Sequence, residues 1–157
     1  MKKLTMMNKF VNRVAGTKVR LVNDDAYYAR ISCADRKIYR FPTLGVPKAN
    51  LLLDINDEDE TDFRNDFIRR YPQASKFSTL LLVLIHEIGH LKTVDEYWAD
   101  EEMEQLDIMM RSITDTSEQY FLIPSEYGAT EWAINWLKVP QNQKIAKYFE
   151  KQFYRAS

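Results

Sequence analysis

The sequence predicts an α+β domain in which a small antiparallel sheet of three to four strands packs on helices. Two observations support this fold class. Segments of strand length rich in Tyr, Ile and Phe lie in the first third of the chain, and apolar residues at helical spacing dominate from residue 62 onward. The 157 residues, 45% of them hydrophobic, suffice for one core. We therefore expect a single domain over residues 1–157.

The first third of the chain is expected to hold one helix and the sheet. Residues 27–32 and 37–41 have strand composition and flank a short turn at 34–36, a pattern that favours a β-hairpin. The predicted elements, in chain order, are a helix over residues 4–15 ending at Gly16, a strand over 18–23, the hairpin, a loop over 42–47 and a strand over 50–55 with the sequence NLLLDI.

The rest of the chain is predicted to form five helices. Pro72 stops the first, Ser75 can cap the second, and Pro124 and Pro140 suit the first turns of the last two. The predicted helices cover residues 62–71, 75–91, 96–113, 124–137 and the segment from 140 onward.

The charges of the chain nearly balance. There are 22 Lys and Arg against 23 Asp and Glu, a net charge of −1, so a nucleic acid partner is not expected. The two signs are nevertheless segregated. The first 20 residues and the segment from 138 onward are basic, whereas the charged residues of segments 54–62 and 95–107 are all acidic. Solvated faces of amphipathic helices explain most runs of this kind.

The chain shows no sequence signal for a membrane. The longest aliphatic run, over residues 80–85, is six residues long, whereas a span needs about 20. Polar and basic residues interrupt the apolar stretch near the N-terminus, so no signal-peptide core forms. The single cysteine, Cys33, excludes an internal disulfide. We expect a cytoplasmic protein without a membrane partner.

The sequence His-Glu-Ile-Gly-His at residues 86–90 points to metal chemistry. On a helix, His86 and His90 lie on one face, close enough for both rings to bind one metal ion. Glu87 lies about 100° round the helix, where it can reach a metal-activated water without ligating the metal itself. The spacing therefore predicts a Zn²⁺ site with Glu87 as general base.

A catalytic zinc ion usually has three protein ligands and one open position. The chain has no third histidine, so a carboxylate is expected. Glu126 and Glu96 are the candidates, because each begins a Glu-x-x-Ala sequence. Glu126 is favoured. Glu96 lies only six residues after His90, and the chain reversal that it requires would fall near Thr93, a β-branched residue.

These motifs resemble those of the ImmA/IrrE family of small HExxH peptidases, which are often encoded by prophages and mobile elements. The resemblance covers roughly residues 50–137. It rests on HEIGH after an aliphatic helix and on the later sequence YFLIPSEYGATEWAINW. Within that sequence, Glu126, Ala129, Trp132 and Ala133 follow the family's pattern of Glu-x-x-Ala-x-x-aromatic-Ala.

The resemblance implies a zincin-like fold with the motif on a central buried helix. It also implies zinc bound by His86, His90 and Glu126, with Glu87 as the base. Thr130 departs from the pattern, because many gluzincins have there an Asp that supports a histidine ligand.

The predicted function is therefore that of a gluzincin-type zinc endopeptidase. Its substrate would be a specific protein partner, such as a regulator of a prophage or mobile element, which could pair with the predicted strand at residues 50–55. The alternative is a zinc-containing protein-binding module on the same fold with little or no turnover.

Overall fold

The structure is a computed structural model that describes residues 2–23, 30–32, 43–46 and 61–156. The elements, in chain order, are α1 (Lys3–Ala15), β1 (Arg20–Asn23), β2 (Arg30–Ser32), β3 (Thr43–Val46), α2 (Thr61–Arg70), a 3₁₀ helix (Pro72–Lys76), α3 (Thr79–Ala99), α4 (Glu101–Ile113), α5 (Ser117–Leu122), α6 (Pro124–Lys138) and α7 (Pro140–Arg155).

The predicted fold class, α+β with an antiparallel sheet of three to four strands on helices, is wrong. Helices make up most of the described residues, and the sheet formed there has three short strands in the order β1-β3-β2. β1 pairs with β3 in parallel, and β2 pairs with β3 antiparallel. The error lies partly at residues 42–47, where two prolines and a glycine favour a loop. Residues 43–46 instead form the central strand.

Several predicted elements are confirmed with small changes at their ends. These are the first helix, the strand that becomes β1, and the helices that become α2, α6 and α7. The predicted strands over residues 37–41 and 50–55, including the proposed edge for substrate pairing, lie outside the described residues.

The motif helix is longer than predicted and starts later. Ser75 belongs to the 3₁₀ helix, and Ser78 instead accepts a hydrogen bond on its hydroxyl from the amide of Leu81, at 3.2 Å. The helix then continues to Ala99. The next helix begins after Asp100, whose side chain accepts bonds from two amides of the first turn. The predicted helix over residues 96–113 is therefore divided at Asp100.

The core lies between α1, α3, α6 and α7. The aliphatic residues 80–85 of α3 are all buried, as is Ile88. The ring of Phe10 in α1 stacks on Phe149 in α7 with centroids 4.3 Å apart, and Trp136 of α6 meets Phe10 edge-on. Trp136 is partly buried and packs against this core. The motif helix is consequently held firmly along most of its apolar length.

None of the helices within the described residues has the length and apolar character needed to cross a bilayer.

Candidate metal centre

Two histidines on one face of α3 begin the site. The rings of His86 and His90 lie edge to face with centroids 4.8 Å apart, as their spacing of four residues requires. His86 is buried, and His90 is partly open to solvent. A buried imidazole needs polar partners, because an unsatisfied polar group in a core is costly. The partners come from α6.

Glu126 in the first turn of α6 meets both histidines through one oxygen. Its Oε2 lies 3.0 Å from Nε2 of His86 and 3.0 Å from Nε2 of His90. Around a tetrahedral zinc ion with bonds of about 2.0–2.2 Å, neighbouring ligand atoms are about 3.3–3.6 Å apart. Small outward movements of the three side chains would therefore bring their ligand atoms to the separation found around a zinc ion. The donor set of two imidazole nitrogens and one carboxylate oxygen suits this ion.

Close contact between α3 and α6 makes this convergence possible. A Cβ atom added at Gly89 would lie 2.3 Å from the carbonyl oxygen of Ala129, far inside van der Waals contact. Glycine is therefore needed at residue 89, because only a residue without a Cβ atom leaves room for the backbone of Ala129. The hydroxyl of Thr93 also donates to the Gly89 carbonyl at 2.8 Å. The glycine within HEIGH thus brings the helix of Glu126 close to both histidines.

The second oxygen of Glu126 is held by two other donors. Nη2 of Arg111 donates to Oε1 at 3.1 Å, and the hydroxyl of Tyr120 donates to the same oxygen at 2.8 Å. Burial alone would raise the pKa of Glu126, but the hydrogen bonds from His86 and His90 outweigh it and hold this pKa well below its ordinary value. The carboxylate is therefore ionised, with Oε1 fixed and Oε2 directed at the histidines.

A network of polar contacts places Arg111 beside the site. Asp107 accepts from Nε of Arg111 at 2.9 Å and from the amide of Ser125 at 2.8 Å, while Arg111 also donates to the Ser125 hydroxyl at 2.7 Å. Burial opposes the charge of Arg111, but its bonds to Asp107 and Glu126 raise its pKa. Sequence reasoning missed Arg111. The available signal was that it is the first basic residue after a long acidic segment.

Thr130 supports the first histidine. Its Oγ1 lies 2.9 Å from Nδ1 of His86, and both groups are buried. A hydroxyl can donate to Nδ1 when Nε2 carries the proton, or accept from Nδ1–H when Nε2 binds a metal. Thr130 can therefore orient the ring of His86 without adding a negative charge to the site.

Glu87 completes the group that could hold a metal ion. Its carboxylate and the ligand atoms of His86 and His90 all lie within 4.8 Å of one another. Burial lowers the pKa of His90, but the hydrogen bond and charge of Glu126, together with the charge of Glu87, outweigh burial and raise it. The carboxylates around His90 therefore favour its protonated form, with which a metal ion would compete.

Glu96, the other carboxylate candidate, and two tyrosines of this region have different positions. Glu96 lies within the unbroken helix α3, so the chain does not turn back after His90. Tyr120 contacts Glu126, as described, and Tyr127 instead lies 4.0 Å beneath the guanidinium of Arg70. The structure thus brings Glu126, and not a reversed chain segment, to the two histidines.

Comparison with known proteins adds no relative. No protein-family model, curated protein or solved structure matches the chain.

Proposed function

We propose that the chain is a zinc-dependent endopeptidase whose metal ligands are His86, His90 and Glu126. The observation that carries the proposal is the convergence of both Nε2 atoms on Oε2 of Glu126 at 3.0 Å. Glu126 comes from a different helix, 40 residues after His86. The three-residue donor set leaves one coordination position for water, as catalytic zinc sites require.

The chemistry divides between the ion and Glu87. A zinc ion held by these ligands would lower the pKa of a coordinated water to about 7 and polarise the carbonyl of a bound peptide. Glu87, whose carboxylate lies within 4.8 Å of both histidine ligand atoms, would take the proton from the attacking water. The water oxygen would bond to the carbonyl carbon as the C–N bond breaks, and Glu87 would return the proton to the leaving amine.

The substrate proposed is a polypeptide, in line with the resemblance to peptidases of the ImmA/IrrE type. That resemblance suggests a regulatory protein of a prophage or mobile element as the natural substrate. The carrying motifs, HEIGH and the sequence around Glu126, are the segments that meet at the site.

The test is Glu87→Gln in the full chain. A mixture of proteins extracted from cells is incubated with zinc-loaded protein, and new N-termini are identified by labelling and mass spectrometry. We expect new termini with the wild type and with Glu131→Gln, a control on the exposed side of α6, and none with Glu87→Gln or after chelation. Zinc content should be the same in all three proteins. An identical set of termini from wild type and Glu87→Gln would overturn the role of Glu87.

A second candidate function is a zinc-containing protein-binding module without turnover. One observation favours it. Tyr120, which could otherwise donate to the oxygen of a substrate carbonyl, has its hydroxyl engaged with Glu126. The same experiment separates the two functions, because a binding module retains zinc but gives no new termini with any of the proteins.

A further inference from the structure

The solvent-facing side of α7 carries a row of cations. Its buried residues, Ala146, Phe149 and Phe153, lie on one side of the helix. The opposite side carries Lys144, Lys147, Lys151 and Arg155, all exposed and spaced by three or four residues. At 1.5 Å per residue, neighbouring cations are about 4.5–6 Å apart along the axis and the row spans about 16 Å.

The neighbouring helix α1 has the same character. Its solvent-facing side carries Lys2 just before the helix, then Lys9 and Arg13, and no acidic residue occurs in this segment. The two helices lie side by side, because Phe10 of α1 stacks on Phe149 of α7. We call the seven exposed cations of α1 and α7 the basic face.

The basic face is not neutralised by the rest of the described chain. Among the residues that the structure describes, no ion pair joins any of the seven cations to a carboxylate. The single acid of α7, Glu150, instead accepts from the amide of Ser78 at 2.8 Å. Lys147 has a neutral partner, the carbonyl of Lys76. The net charge of −1 for the whole chain therefore conceals a strongly positive surface.

We propose that the basic face binds the phosphodiester backbone of nucleic acids. A regular row of cations that have no carboxylate partner among the described residues matches a polymer with regularly spaced negative charge, and such binding is independent of base sequence. Tyr148, 66% exposed and four residues after Lys144, adds an aromatic ring on which an unpaired base can stack. The proposal is independent of peptidase activity and differs from the expectation based on net charge, which gave no nucleic acid partner.

An anionic membrane is the less favoured partner. Helices that lie in a membrane surface insert leucine, phenylalanine or tryptophan into the lipid. The exposed residues of α7 include none of these, since both phenylalanines of the helix are buried, and α1 exposes one, Leu4. With a single exposed leucine on the two helices, attraction to a membrane would be mainly electrostatic.

The experiment measures binding of a fluorescein-labelled 20-nucleotide DNA of mixed sequence, single-stranded and duplex, by anisotropy between 50 and 200 mM NaCl. We expect binding that weakens with salt. The variant Lys144→Gln/Lys151→Gln should lower the slope of log K against log salt by about 1.4–1.8, since each cation contributes about 0.7–0.9. The control Arg69→Gln/Lys92→Gln removes the same charge from α2 and α3 and should leave the slope unchanged.

Three results would overturn the proposal. One is a decrease in the slope of log K against log salt that is as large in the control variant as in the α7 variant, which would assign binding to net charge alone. Another is absence of measurable binding to either DNA at 50 mM salt. The third is a lack of preference for nucleic acid over other polyanions, seen either as tighter binding to phosphatidylserine vesicles or as equal competition by poly-glutamate. Zinc removal with a chelator should leave DNA binding intact, so failure of this proposal and failure of the peptidase proposal can be told apart.

Discussion

The contact between Gly89 and Ala129 makes Gly89→Ala the most informative substitution. The new Cβ would lie 2.3 Å from the Ala129 carbonyl oxygen, whereas ordinary contact begins near 3.4 Å, so α3 and α6 must separate by about 1 Å. Alanine would gain about 1 kcal/mol in helix propensity. Overpacking of this kind costs about 1–3 kcal/mol, so stability should fall by up to about 2 kcal/mol.

The effect on metal binding should be larger than the effect on stability. A displacement of about 1 Å is half the length of a zinc–ligand bond of about 2.0–2.2 Å, so Glu126 would lose contact with an ion held by the two histidines. We expect zinc affinity to fall by at least about 100-fold, the upper end of what loss of a supporting contact costs. The helical content should remain near that of the wild type.

The assay pairs urea unfolding of metal-free protein with competition against a fluorescent zinc chelator. Gly128→Ala, at a half-buried position in the interior of α6, is the control and should retain zinc affinity. If Gly89→Ala is about 1 kcal/mol more stable than the wild type and binds zinc equally well, helix propensity alone is acting. The close approach of α3 and α6 would then be refuted.

Two further predictions concern residues that position the ligands. Thr130→Val removes the hydroxyl beside Nδ1 of His86 and should weaken zinc binding about 10–100-fold, as measured by calorimetry. Thr130→Ser keeps the hydroxyl and should bind zinc like the wild type. If the valine variant binds zinc as tightly as the wild type, the hydroxyl does not support the histidine. Arg111→Gln removes a donor to Oε1 of Glu126 and should alter the visible spectrum of the cobalt-substituted protein. The far-UV circular dichroism should stay unchanged. An unaltered cobalt spectrum would contradict a positioning role for Arg111.

The residues of the site that the sequence predicted are those set by local periodicity. Helical spacing alone puts His86 and His90 on one face, and the structure has them there. The prediction of Glu126 used the Pro124 helix start and the small Ala129. The structure brings this side chain to both histidines. Short-range pattern therefore suffices where one helix or one helix contact determines geometry.

The supporting contacts could not be predicted, because they depend on how distant segments meet. Arg111 and Tyr120 reach Glu126 only because α4 and α5 fold back beside α6. The sequence places Thr130 where many gluzincins have a carboxylate, and only the structure reveals that its hydroxyl lies 2.9 Å from Nδ1 of His86. The parallel pairing of β1 with β3 likewise depends on a crossover that hydrophobic alternation does not encode.

The zinc content of purified protein tests the central claim most directly. Metal analysis by mass spectrometry is made on the wild type, Glu126→Ala and Glu96→Ala after dialysis against a weak chelator. We predict one zinc per chain in the wild type and in Glu96→Ala, and loss of zinc in Glu126→Ala, because Oε2 of Glu126 is the oxygen that meets both histidines. Zinc retained in Glu126→Ala and lost in Glu96→Ala would contradict the assigned ligand set.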